Sequence, residues 1–146
     1  MAEKIFINTD GGSRGNPGPS GIGIVFFDEQ GREFHSHGEY TGEGTNNTAE
    51  YRAIIKALDI LTKSKWFAEN NHPDNQVICR LDSKLVVEQV NGRYKVKQAH
   101  IAEYMAEIKK ILSQSILRVS FVHVPREENK IADRLVNEAL DSHLGG

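Results

Sequence analysis

Ile5-Phe6-Ile7-Asn8-Thr9-Asp10-Gly11-Gly12 is a short apolar strand that closes on a carboxylate and two glycines. Val77-Ile78-Cys79-Arg80-Leu81-Asp82-Ser83 repeats the plan farther along the chain. Two more acids take comparable positions: Glu50 opens a long helical pattern, and Asp133 sits in the first turn of the last predicted helix. Four acids at strand ends and helix starts are placed to reach one shared point. Converging carboxylates repel one another unless cations neutralise them, and hard divalent cations do so with oxygen ligands. The pattern therefore points to metal-dependent phosphoryl transfer.

Each of the four also has a purely structural use. Asp10 before Gly11-Gly12 suits a turn. Asn47-Thr48-Ala49-Glu50 matches a capping box, in which Glu50 bonds back to the helix start. Asp82 beside Ser83 suits a helix cap, and Asp133 near an N-terminus complements the helix dipole. What favours a common role is that all four occupy the same kind of topological position.

Outward from the first strand, Gly21 to Phe27 and Glu33 to Tyr40 read as a second and third, with Asp28-Glu29-Gln30-Gly31 as a hairpin signal between them. Gly42-Glu43-Gly44 ends this antiparallel section. From Asn47 the period turns helical, with Ala53, Ile54, Ala57, Leu58 and Leu61 at spacings of three and four. That helix is predicted to run to Lys65 or Trp66, followed by a polar loop, Glu69 to Asn75, broken by Pro73. Val77 to Leu81 is a fourth strand. Ser83 caps a helix from Lys84 to Val90, and Asn91-Gly92 ends it. A further helix spans Ala99 to Leu112, a fifth strand Ile116 to Val124, and Asn129 is placed to cap a last helix reaching Ser142. The order β-β-β-α-β-α-α-β-α predicts a mixed five-stranded α/β sheet covered by helices, its first three strands antiparallel.

The 146 residues suit one domain, 1–146, able to bury about 70% of its unfolded surface. No apolar run approaches the roughly 20 residues of a membrane span. Met1-Ala2-Glu3-Lys4 leads straight into a strand, which predicts neither a signal peptide nor an added N-terminal domain. The one cysteine, Cys79, lies in an apolar strand and reads as a buried thiol in a reducing compartment, hence the cytoplasm. A net charge of −2 excludes a basic nucleic-acid coat. Between Arg80 and Lys97, however, Arg80, Lys84, Arg93, Lys95 and Lys97 outnumber Asp82 and Glu88, a local excess suited to a phosphate backbone.

Four ordered motifs make the reading specific. Asp10-Gly11-Gly12-Ser13-Arg14-Gly15-Asn16-Pro17-Gly18, Thr45-Asn46-Asn47-Thr48-Ala49-Glu50-Tyr51, Asp82-Ser83-Lys84-Leu85-Val86-Val87 and Asn129-Lys130-Ile131-Ala132-Asp133-Arg134-Leu135 resemble those of type 1 ribonuclease H, over nearly the whole chain. The resemblance implies the ribonuclease H-like fold, with strand order 3-2-1-4-5. It also implies hydrolysis of the RNA strand of RNA–DNA hybrids to 5′-phosphate and 3′-hydroxyl ends by two Mg2+ ions, with Mn2+ as a substitute. By position, Asp10 would bridge both ions. Asp133 would help hold the ion that activates water, and Glu50 and Asp82 the ion that stabilises the departing 3′-oxygen.

Substrate contacts follow from the same resemblance. Gly11, Gly12 and Gly15 would let backbone approach the sugar-phosphate chain. Asn16, Asn46 and Glu50 lie where the RNA minor groove and its 2′-hydroxyls are read. Asn47 matches a DNA-strand position, and Lys84 stands where relatives often carry Gln. Two segments depart from the best-known form of the family. His123-Val124-Pro125-Arg126-Glu127-Glu128-Asn129 is short where that form has a longer loop bearing a catalytic histidine. His123 falls within the predicted strand, so Arg126 is the expected assistant at the scissile phosphate. Asn91 to Lys97 replaces a basic helix, leaving Arg93, Lys95 and Lys97 as a weaker grip. His35 and His37 alternate on a strand face as a solvated edge, His72 and His143 fall in loop and tail, and Trp66 packs near a helix end. A monomer is expected. The rivals are a nuclease of this fold acting on double-stranded RNA or DNA junctions, and a non-catalytic hybrid-binding module, which clustered negative charge disfavours.

Overall fold

In a computed structural model, which describes residues 2–144, the elements are β1 (Lys4–Ser13), β2 (Gly18–Phe27), β3 (Glu33–Gly44), α1 (Asn46–Thr62), α2 (Lys65–Asn70), β4 (Gln76–Leu81), α3 (Lys84–Val90), α4 (Ala99–Leu112), β5 (Arg118–His123), a 3-10 turn (Arg126–Glu128) and α5 (Lys130–His143). The sheet order is β3-β2-β1-β4-β5. β1 pairs antiparallel with β2 and parallel with β4, β2 antiparallel with β3, and β4 parallel with β5. The mixed sheet and the 3-2-1-4-5 order expected from the sequence are both present.

One face of the sheet carries Ile5, Ile7, Ile22, Ile24, Phe26, Val77, Cys79 and Leu81, which pack with Tyr51, Ile54, Leu58 and Leu61 of α1. Each such side chain removed from water contributes about 1.5–3 kcal/mol, so this face dominates the stability. The other face receives α5. There β2 and β3 offer Gly21, Gly23 and Gly38, and helix backbone fills the space: a methyl on Gly23 would overlap the Ala132 carbonyl, and one on Gly38 would lie 3.0 Å from Leu135 O. These glycines set the depth of α5, and with it the reach of Asp133.

Several boundaries differ from the sequence reading. Asp10 lies inside β1 rather than at its end, because Gly11, Gly12 and Ser13 continue the ladder opposite Ile22, Gly21 and Ser20. β3 likewise runs on to Gly44, opposite Gly18. The first helix stops at Thr62; Ser64 then accepts a hydrogen bond from Phe67 N at 3.0 Å and starts α2, so part of the predicted polar loop is helical. β5 is shorter than predicted, with Ile116 outside it and 62% exposed. Among the described residues no helix is long and apolar enough to cross a membrane. Cys79 is buried and free, its thiol pushed up to about 12 by burial. Trp66 packs against the core from the first turn of α2.

Candidate active site

α1 begins with a capping box, but not the expected one. Thr45 Oγ1 accepts from Thr48 N at 3.2 Å, and Thr48 Oγ1 accepts from Thr45 N at 2.9 Å. This pair does the capping that was the alternative use of Glu50, whose carboxylate turns instead into the fold. There Glu50 Oε1 accepts from Gly11 N at 3.3 Å, while Oε2 is buried without a partner. Glu50, Asp10 and Asp82 each bring a carboxylate oxygen within 4.8 Å of the others. Asp133, exposed in the first turn of α5, stands outside that group but lines the same cleft, and its charge acts on Asp10.

The electrostatics show how unfavourable this grouping is without a cation. Burial, reinforced by the charges of Asp82 and Asp133, raises the Asp10 carboxyl from 3.8 to about 7. Burial raises Glu50 well above its ordinary range, and the negative charge of Asp10 adds to the effect. Two acids whose surroundings disfavour their charged forms are a standing site for positive charge. The cleft, about 390 Å³, is also lined by Gly11, Gly12, Asn46, Asn47, Ser83 and Arg126. All-oxygen donors with no soft ligand suit Mg2+ or Mn2+.

The family model for reverse transcriptase-like proteins matches residues 8–139. The LC11-RNase H1 crystal structure, a complex with an RNA/DNA hybrid, superposes with a TM-score of 0.88 at 47% identity, covering 96% of this chain and 99% of that one. The chain belongs to the type 1 ribonuclease H family. Its similarity extends to a bifunctional protein of Mycobacterium tuberculosis, 39% identical over 95% of this chain and 36% of the relative. It extends also to the ribonuclease HI of Halobacterium salinarum, 36% identical over 94% of this chain and 65% of the relative. The chain thus spans about a third of the mycobacterial protein and about two thirds of the halobacterial one.

Within this family frame the substrate residues separate into groups. Asn46 and Asn16 interlock the glycine turn with α1: Asn46 Oδ1 accepts from Ser13 N at 2.9 Å, and Asn46 N donates to Asn16 Oδ1 at 3.0 Å. Asn46 thus ties the turn to α1 while lining the cleft, and its amide nitrogen remains available to a ligand. Asn47 lines the cleft beside it. Gly11 and Gly12 both line the cleft, but a side chain on Gly11 would run into backbone of α1, whereas one on Gly12 would make only ordinary van der Waals contact; Gly15 lies on the exposed turn.

The basic stretch is thinner than its composition. Arg80 turns to the other side of the sheet, donating from Nε to Asn8 Oδ1 at 2.6 Å with its guanidinium 4.4 Å from the Phe6 ring centre. Arg93 is held by Glu88 through two bonds of 2.8 and 2.9 Å. Lys84, Lys95 and Lys97 are exposed, and among the described residues none is ion-paired. Arg126 lines the cleft from the 3-10 turn; His123 ends β5, exposed rather than buried, where its charge acts on Glu88.

Some lining residues escaped the sequence reading. Ser83 both caps α3, accepting from Val86 N at 3.3 Å, and lines the cleft. Asn137 lies one turn after Asp133 on the same helix face, a spacing that could have flagged it. Arg14 also lines the cleft, paired with Asp141 at 2.7 Å. Three histidines have structural partners: His37 Nε2 meets Glu39 Oε1 at 2.8 Å, His35 packs on Phe26, and His143 belongs to α5, not a tail, stacking on Tyr40.

Proposed function

We propose that this chain is a single-domain, monomeric, cytoplasmic endoribonuclease. It hydrolyses the RNA strand of RNA–DNA hybrids with two Mg2+ ions and leaves 5′-phosphate and 3′-hydroxyl ends. The observation that carries the reading is the group of Asp10, Glu50 and the half-buried Asp82, within 4.8 Å of one another, with Glu50 Oε2 buried and lacking any partner. A pure phosphate-binding surface gains nothing from such a group. The buried free thiol of Cys79 fits a reducing compartment.

Asp10, Glu50, Asp82 and Asp133 would hold the cations, Asp10 contributing to both, Asp133 serving the side of the attacking water, and Glu50 and Asp82 that of the departing oxygen. Bound there, the cations would activate water and stabilise the leaving 3′-oxygen. The protein's own part is positional. β1 and β4 are rigid strands that aim Asp10 and Asp82, and α5, seated on glycines, brings Asp133 over them. The Asn46 amide donates toward 2′-hydroxyls of the RNA strand, with Asn16 fixing its backbone and Asn47 facing the DNA strand. Glu50 takes part in reading the same groove. Gly12 and Gly15 border the RNA backbone. Lys84, Lys95 and Lys97 meet phosphates, Arg93 only after leaving Glu88, and Arg126 meets the scissile phosphate.

The test is cleavage of a labelled RNA–DNA hybrid with Mg2+, with Mn2+ and with EDTA, beside matched RNA–RNA and DNA–DNA duplexes. Metal-dependent cutting confined to the hybrid's RNA strand is expected. Preferential cutting of double-stranded RNA would replace the substrate assignment, and binding without cutting would leave only a hybrid-binding module.

A further inference from the structure

Asn129 follows the turn that carries Arg126 and precedes Asp133 by four residues. It is 1% exposed, yet its side chain does not cap α5. Instead Nδ2 donates to Thr9 O at 2.9 Å and to Asp82 Oδ2 at 3.1 Å. Both partners are acceptors only, so the reversed amide would set oxygen against two oxygens; chemistry dictates the orientation. The backbone carbonyl of Asn129 accepts from Asp133 N at 3.1 Å. One residue therefore ties together the strand of Asp10, the carboxylate of Asp82 and the first turn that bears Asp133.

Its seat is held from behind. Asn8 Nδ2 donates to Glu128 O at 3.3 Å, and Asn8 is itself gripped by Arg80. Meanwhile Asn129 Oδ1 is buried with no partner, a cost that stability alone does not call for. An amide kept at such cost, with one proton on a carboxylate of the cleft, serves that carboxylate.

We propose that Asn129 is a positioning residue for cation binding. By occupying Asp82 Oδ2, it fixes the carboxylate and leaves Oδ1 as the ligand atom beside Asp10 and Glu50. The inference rests on reading those carboxylates as metal ligands. Partners of this kind, one step behind the ligands, change metal affinity or activity by about 10–100-fold when removed.

The experiment is calorimetric titration of the metal-free chain with Mn2+, for wild type, Asn129→Ala, Asn129→Ser and Asn8→Ala, with Tm and hybrid kinetics alongside. Asn129→Ala is expected to weaken Mn2+ binding about 10-fold or more and to lower kcat while KM for hybrid stays unchanged. Asn129→Ser, keeping one donor, should fall between and supplies the result if the alanine variant does not fold. Asn8→Ala loosens the same turn without touching a carboxylate, so it should lower Tm and leave Mn2+ affinity intact. Unchanged Mn2+ affinity in both Asn129 variants would overturn the proposal, as would an equal loss in Asn8→Ala. No Mn2+ uptake by the wild type would overturn the metal reading and this inference with it.

Discussion

Gly11 donates its amide to Glu50 Oε1 at 3.3 Å, and the place its side chain would occupy is filled by backbone of α1: a methyl there would overlap the Ala49 carbonyl and lie 2.6 Å from Glu50 N. The missing side chain lets the start of α1 sit directly on β1. The Asp10–Glu50 pairing depends on that approach.

Gly11→Ala should therefore separate helix from strand, costing about 1–3 kcal/mol and most of the cleavage activity. Gly12→Ala is the control. A methyl there meets only Val136 Cγ1 at 3.8 Å and Asn46 Oδ1 at 3.9 Å, so Tm should hold. Thermal melts of both variants check this; equal destabilisation would contradict it.

The metal-free protein should lose stability as pH rises. Asp10, raised from 3.8 to about 7, and Glu50, also raised, bind protons more tightly folded than unfolded. Their contribution is full below about pH 4 and is lost as pH climbs through the folded value near 7. At about 1.4 kcal/mol per pKa unit, Asp10 alone accounts for up to about 4 kcal/mol. Melts in EDTA from pH 4 to 8 should show this decline, with Mg2+ reversing it at neutral pH. Asp10→Asn should flatten it, raise the metal-free Tm and abolish cleavage. A Tm that rises with pH in EDTA would refute the account.

Arg126 lines the cleft and His123 does not. Arg126→Ala should lower kcat about 100–1,000-fold, as loss of a charge-stabilising donor does, while His123→Ala stays within about twofold, as at other exposed positions. Single-turnover cleavage of a short hybrid compares them, and the opposite ranking would make His123 the assistant.

Salt dependence separates the basic residues. Lys95 and Lys97 are free, whereas Arg93 is already neutralised by Glu88. Replacing either lysine by Ala should reduce the slope of log affinity against log salt by about 0.9; Arg93→Ala should change it less. A slope unchanged from wild type in both lysine variants would remove the lysines from the hybrid interface.

What the sequence determined by itself was whatever neighbours along the chain can signal. The alternating strands, the hairpin at Asp28 to Gly31, the three-and-four spacing of α1 and the four acidic motifs rest on local periodicity and turn chemistry. The tertiary structure decided what depends on partners far apart in the chain. Thr48, not Glu50, completed the capping box, and this released Glu50 for a cleft bounded by a strand 39 residues earlier. Asn129 reads as a helix cap until the fold brings Thr9, 120 residues away, and Asp82 to its amide. Arg80 and Arg93 count as basic surface until Asn8 and Glu88 engage them. A side chain with several local uses takes the one that its distant partners offer, and only the folded chain supplies those partners.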